Sequence, residues 1–114
     1  MVHRDEAVIA TAILPTVDLE ASVAFYVALG FAIDRFGPRY ALVLYDGHEL
    51  VHLQASDSPG NGTVYLNVPD ADAWHATCED AGYFPSAISD RTWGMREFEV
   101  RDPSGNILRV GTNL

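Results

Sequence analysis

The chain repeats its own pattern once, and that repeat restricts the folds open to it. Thr11 precedes Asp18 by seven positions and Thr63 precedes Asp70 by seven; Asp18 precedes Gly30 by twelve and Asp70 precedes Gly82 by twelve. Between these marks each half reads as an apolar strand (Ala7 to Leu14, Thr63 to Val68), a capping Asp, an amphipathic helix, and Gly followed by an aromatic residue. Asp18 and Asp70 can each accept a hydrogen bond from an orphan N–H of a first helical turn, and Glu20 and Asp72 add negative charge where the helix dipole favours it. Leu19, Val23 and Tyr26 share one helical face, as do Ala71, Trp74, Cys78 and Ala81, so each helix has a stripe to lay on a sheet. Gly30 and Gly82 end the helices, because Gly tolerates the left-handed conformation after the last turn.

Further strands follow each helix: Phe31 to Phe36, Tyr40 to Tyr45 and Glu49 to Ala55, then Phe84 to Ile88, Met95 to Arg101 and Asn106 to Gly111. Asp46-Gly47 marks a tight hairpin, Asp102 to Asn106 a longer turn, and Asp57 to Gly62 a linker between the halves. The order is βαβββ twice, which predicts an α+β domain of two modules, about 7–56 and 62–114. Curved mixed sheets would surround a cleft, with the helices on the outer faces. Alternation then sends Leu50, His52 and Gln54 to one strand face and Thr63, Tyr65 and Asn67 to another.

A length of 114 residues with 48% hydrophobic content suits one core. Against 7 basic residues stand 16 acidic ones, a formal net charge of -9 that repels phosphate backbones and anionic lipid and attracts cationic ligands. Neither nucleic acid nor membrane is therefore an expected partner. No apolar run approaches bilayer length, and the residues from Met1 to Ala7 lack the pattern of a secretory signal. The single Cys78 forms no internal disulfide and reads as a small buried hydrophobe. A cytoplasmic protein is expected.

Paired modules carrying Asp18-Leu-Glu-Ala-Ser-Val-Ala-Phe-Tyr26, Leu29-Gly-Phe31 and Arg101-Asp-Pro-Ser-Gly-Asn106 resemble the vicinal-oxygen-chelate superfamily over nearly the whole chain. That superfamily includes glyoxalase I, extradiol dioxygenases, fosfomycin resistance enzymes and bleomycin resistance proteins. The segment from Thr92 to Asn106, with Trp93-Gly94 ahead of Arg96-Glu97-Phe98, is most similar to the bleomycin resistance branch, as are Leu14 to Asp18 and Ile107 to Leu114. Met95, between Trp93-Gly94 and Arg96, departs from that pattern.

Enzymes of the superfamily hold a divalent metal through His, Glu or Gln on the first and last strands of each module. The resemblance puts those positions at Thr11, His52, Thr63 and Arg109. Only His52 can ligate: Arg109 has no available lone pair, and Thr hydroxyls are poor ligands for transition metals. His3, His48 and His75 do not converge on it. No metal or other cofactor is therefore expected.

The resemblance implies a homodimer whose grooves take a flat, cationic antibiotic glycopeptide of the bleomycin class between aromatic rings, with acidic walls facing its charge. Trp93 matches the stacking Trp, Phe36 and Tyr40 lie in one hairpin, and Trp74 on its helix stripe reads as core. His52, Gln54, Tyr65 and Asn67 would line the cleft. Asp34, Asp57, Asp90 and Glu97 are candidate acidic walls, and Arg109, also a candidate ligand contact, opposes a cation unless one of these carboxylates pairs with it inside the cleft. A metal-dependent glyoxalase or dioxygenase with unorthodox ligands, and a binding domain for another metabolite or a peptide, are the alternatives.

Overall fold

A computed structural model describes residues 8–114. Its elements run β1 (Ala12–Thr16), α1 (Leu19–Ala28), β2 (Ala32–Arg35), β3 (Tyr40–Tyr45), β4 (His48–Ala55), β5 (Thr63–Asn67), α2 (Ala71–Asp80), β6 (Ser89–Asp90), β7 (Met95–Arg101) and β8 (Ile107–Asn113). They form two mixed sheets, one ordered β1-β4-β3-β2 and the other β5-β8-β7-β6. In each, the first strand lies parallel to the last and the hairpin pairs are antiparallel. The predicted α+β fold of two βαβββ modules is what the chain adopts.

Both helix starts form as the sequence predicts. The carboxylates of Asp18 and Asp70 accept from the backbone N–H groups of Ala21 and Ala73, each at 3.1 Å. Gly30 and Gly82 follow the helices with φ of +100° and +86°, a conformation that costs a side chain dearly. Below α1, Leu19, Phe25 and Tyr26 pack on Leu14, Ala41, Val43, Val51 and Leu53; the core of the second module holds Ala71, Cys78, Phe98, Val100, Leu108 and Val110. Period-two burial along β3, β4, β7 and β8 leaves the opposite sheet faces open.

Three expectations need correction. The first strand covers Ala12–Thr16, five residues that continue through Pro15, which an edge strand tolerates; Ala7 lies outside the described residues. Phe84 to Ile88 is not a strand. Pro85 cannot donate to a ladder, and Ser86 instead bonds through both N–H and hydroxyl to Glu99, lying along the edge of β7. Ala81 is exposed because α2 ends at Asp80 and Ala81 only caps it.

The turn from Asp102 to Asn106 does more than reverse the chain. Buried Asp102 accepts from the Tyr26 hydroxyl at 2.9 Å, from the N–H groups of Ser104 and Asn106, and from the Asn106 side-chain amide. Asn106 also donates to the Pro15 carbonyl, and the Ser104 hydroxyl accepts from the Val17 N–H. A four-donor carboxylate, with no basic partner among the described residues, thus ties the second module to α1 and β1 of the first. Trp74 makes a second tie, its ring packed on Phe31 and Tyr45. The radius of gyration is 15.0 Å, against about 13 Å for a compact chain of this length. The molecule is open, and its two inner sheet faces are not closed on each other by any hydrogen bond or ion pair among the described residues.

Candidate functional site

Register assigns the inner faces residue by residue. On the first sheet Asp34, Leu42, His52 and Ile13 stand in one cross-strand row, with Tyr40, Gln54 and Pro15 in the next. On the second sheet the rows are Thr63, Ile107 and Arg101; Tyr65, Arg109 and Glu99; then Asn67, Gly111, Glu97 and Ser89. Gln54 therefore shares a face with His52, and Thr63 and Asn67 share one with Tyr65, while Leu50 has no register partner. The candidate residues gather as two clusters, one per sheet.

The first cluster is a hydrogen-bonded chain. Tyr40 bonds through its hydroxyl to His52 Nδ1 at 2.6 Å, and His52 Nε2 meets Glu49 Oε1. Both contacts are satisfied when Tyr40 O–H donates to Nδ1 and Nε2–H donates to the carboxylate. Strict alternation would send Glu49 to the opposite face from His52. A bulge prevents that: Val43 faces Val51 while Leu44 faces Glu49, so Leu50 is the extra residue and Glu49 turns to the side of His52. Gln54 is exposed beside them.

The second cluster surrounds a buried carboxylate. Glu97 is 2% exposed, and its Oε2 accepts from the Tyr65 hydroxyl at 2.9 Å and from the Trp93 indole N–H at 3.5 Å. Its Oε1 lies 3.6 Å from Arg91 Nε, and the Arg91 guanidinium sits 5.8 Å from the Trp93 ring centroid. Gly111 makes this possible. A Cβ there would overlap the Tyr65 hydroxyl, so the phenol crosses β8 over a bare backbone to reach β7. Desolvation first, then the bond to Glu97 and its charge, push the Tyr65 phenol up, with Arg109 opposing. Trp93 itself is 61% exposed at the tip of the β6–β7 turn.

Next along the same face, Arg109 donates through Nε and Nη2 to Glu99 Oε2 at 3.1 and 2.8 Å. That bond, and the charge of Glu99, raise the Arg109 pKa. A carboxylate does pair with Arg109, but none of Asp34, Asp57, Asp90 or Glu97 is that partner. Counting outward from the Asp102 turn was the available signal, since Arg101 faces Ile107 and Glu99 then faces Arg109. Beyond this pair an open groove of about 400 Å³ runs between Glu99, Arg101 and Ile107 and the loop residues Tyr83 and Phe84.

Other predicted positions fall elsewhere. Phe36 is exposed on the β2–β3 turn, where its backbone N–H donates to the Tyr40 carbonyl at 3.0 Å, and Asp57 is exposed in the linker. Asp90 binds Arg96, which also holds Asp72 at the start of α2, so it belongs to the helix side. His48 is exposed on its hairpin, His75 bonds the Ser86 carbonyl at 2.9 Å, and His3 lies outside the described residues. Of the four positions expected from the resemblance to face a metal, Thr11 precedes β1, Thr63 is exposed, and Arg109 presents a cation already bound to Glu99. Among the described residues no three His, Cys, Asp or Glu side chains group to hold an ion, and this donor set does not fit a divalent metal.

Two βαβββ modules with open inner faces, Asp caps and an Asp-Pro-Ser-Gly-Asn turn that buries Asp102, Ser104 and Asn106 define the class, and the sequence agrees. Residues 8–110 match the family described as the Glyoxalase/Bleomycin resistance protein/Dioxygenase superfamily, and the chain belongs to it. No curated protein matches the sequence. Among solved structures, the bleomycin-binding protein from bleomycin-producing Streptomyces verticillus, complexed with copper(II)-bleomycin, is 27% identical; 96% of this chain and 98% of that one align, with a TM-score of 0.80. A bleomycin resistance determinant encoded on transposon Tn5 aligns over 94% and 98% of the two chains at 22% identity and a TM-score of 0.83. Lactoylglutathione lyase from Agrobacterium tumefaciens aligns over 96% of each chain at 19% identity and a TM-score of 0.78, so binding proteins and an enzyme share this fold.

Proposed function

We propose that this chain sequesters a cationic glycopeptide of the bleomycin class, without chemistry and without a resident metal, in a groove that a second copy completes. The observation that carries this reading is Trp93, exposed at 61% with its indole N–H turned to the buried carboxylate of Glu97. An aromatic face next to a desolvated negative charge suits a flat, positively charged group, through stacking and Coulomb attraction together. Gln54, Asn67 and Tyr65 add uncharged donors and acceptors on the inner faces, which suits a glycopeptide. The net charge of -9 raises the local concentration of a cation. The open shape of one chain leaves each inner face as half a groove.

The bleomycin-bound relative supports the choice of ligand class. Cys78 is buried and its thiol pushed up to about 11 by desolvation, an inert side chain that suits a reducing cytoplasm. Calorimetric titration with bleomycin should give saturable binding that weakens as salt rises; absence of binding at millimolar ligand would refute the proposal. The second reading, a metal-dependent enzyme of the glyoxalase kind, draws on the Glu49–His52 pair at the one position able to ligate. Elemental analysis of purified protein separates the two. We expect no stoichiometric transition metal, and a metal near one per chain in contact with His52 would favour the enzyme.

A further inference from the structure

We infer that Arg91 competes with the ligand's cation for the Trp93–Glu97 corner, which makes that corner a receptor for a planar cation and Arg91 the residue that sets which cations enter. The inference rests on the proposed binding role of this face and concerns a residue that the binding scheme leaves out.

The two oxygens of Glu97 have different partners. Oε2 is held by the Tyr65 hydroxyl and the Trp93 indole, whereas Oε1 meets only Arg91 among the described residues. A carboxylate 2% exposed has little water to solvate it, so a positive partner at Oε1 is favoured strongly. Arg91 is a loose one. Its Nε stands 3.6 Å away, beyond an ordinary charge-assisted hydrogen bond, and its side chain is 40% exposed on a flexible stem. The carboxylate is fixed by the sheet, and the guanidinium is free to leave.

Arg91 also lies over the Trp93 ring, at 5.8 Å from the centroid. Both residues belong to one turn, closed by Arg91 N–H to the Met95 carbonyl at 2.7 Å and Gly94 N–H to the Arg91 carbonyl at 3.1 Å. That turn holds a flat cation between an aromatic face and a carboxylate, the same pair of contacts that a guanidinium or amidinium on a ligand would make. Such a group replaces both contacts of Arg91 at once. A simple ammonium replaces the charge with less of the stacking, and an anion replaces neither.

Benzamidine is a suitable probe, titrated into wild type, Arg91→Ala, Arg91→Gln and Glu97→Gln, with the Trp93 indole N–H resonance as the readout. Loss of that resonance in Trp93→Phe assigns it apart from Trp74. Removing Arg91 should tighten benzamidine binding by about three- to tenfold, since the corner no longer has to be vacated. Glu97→Gln should weaken it. Equal or weaker binding in both Arg91 variants, or no movement of the Trp93 signal in any protein, overturns the inference. Parallel titration with bleomycin keeps the two proposals apart. If bleomycin binds none of the proteins while benzamidine still tightens, the glycopeptide reading falls and the role of Arg91 stands. If bleomycin binds but benzamidine gains nothing from loss of Arg91, the reverse holds.

Discussion

Replacing Gly111 with Ala tests how the second cluster is built. Gly111 does not have a positive φ, so its backbone accepts a side chain, and Ala in its place would ordinarily stabilise the fold by about 0.4–1 kcal/mol through the unfolded state. Sterics oppose this. The new Cβ would overlap the Tyr65 hydroxyl, stand 2.9 Å from its Cζ and 3.2 Å from the Met95 methyl. The flexible Met95 end can yield, but the phenol must swing off β8, and Glu97 then loses a donor while still buried. A hydrogen bond to a charged buried group is worth about 1.5–3 kcal/mol, so the net change should be a destabilisation of about 1–2 kcal/mol. In a Tyr65→Ala background only the yielding Met95 methyl remains close, and Gly111→Ala should be neutral or mildly stabilising. Urea unfolding of the four proteins, followed by circular dichroism, closes the double-mutant cycle. A coupling near zero, with Gly111→Ala costing the same in both backgrounds, would show that Gly111 serves the strand and not Tyr65.

Trp93→Ala should weaken bleomycin binding by about 1–3 kcal/mol while leaving stability nearly unchanged, and Trp74→Ala should do the opposite, costing about 3 kcal/mol of stability; paired melts and titrations of both variants would expose a Trp93 that is merely structural. Burial first, then the charge of Asp102 and the bond to it, raise Tyr26 above its ordinary pKa of 10.0. The unfolded chain therefore ionises first, and the contribution of Tyr26 is whole below pH 10 and declines as pH climbs past it. Tyr26→Phe should be less stable at neutral pH and show a shallower alkaline decline; an unchanged slope between pH 9 and 11 would contradict this. Sedimentation equilibrium should find a dimer at micromolar concentration, and a monomer that binds bleomycin fully would remove the need for a shared groove.

Local chemistry carried much of the architecture. Capping carboxylates at Asp18 and Asp70, glycines that accept positive φ at 30 and 82, and period-two apolar strands each act within a few residues, so the βαβββ repeat was legible without knowing what packs on what. Trp93, which the resemblance singled out, stands exposed on the turn after the polar segment Ser89 to Thr92. The strand expected at Phe84 to Ile88 does not form: the apolar residues there suggested a ladder, while Pro85 and the side chain of Ser86 divert the segment to an edge contact with Glu99.

The site's wiring depended on register. Glu49 reaches His52 only through the bulge opposite Val43 and Leu44, since an odd spacing on a regular strand points two side chains apart. Tyr65 reaches Glu97 only because a glycine from a third segment lies between them. Asp102 read as one residue of a hairpin turn, yet packing makes it the buried acceptor that joins the modules. In sum the chain by itself determined which faces would be apolar and where elements begin and end, because those follow from near neighbours. Tertiary structure alone decided which carboxylate meets which donor, because residues 32 and 76 positions apart become partners only when strand register and module contact bring them together.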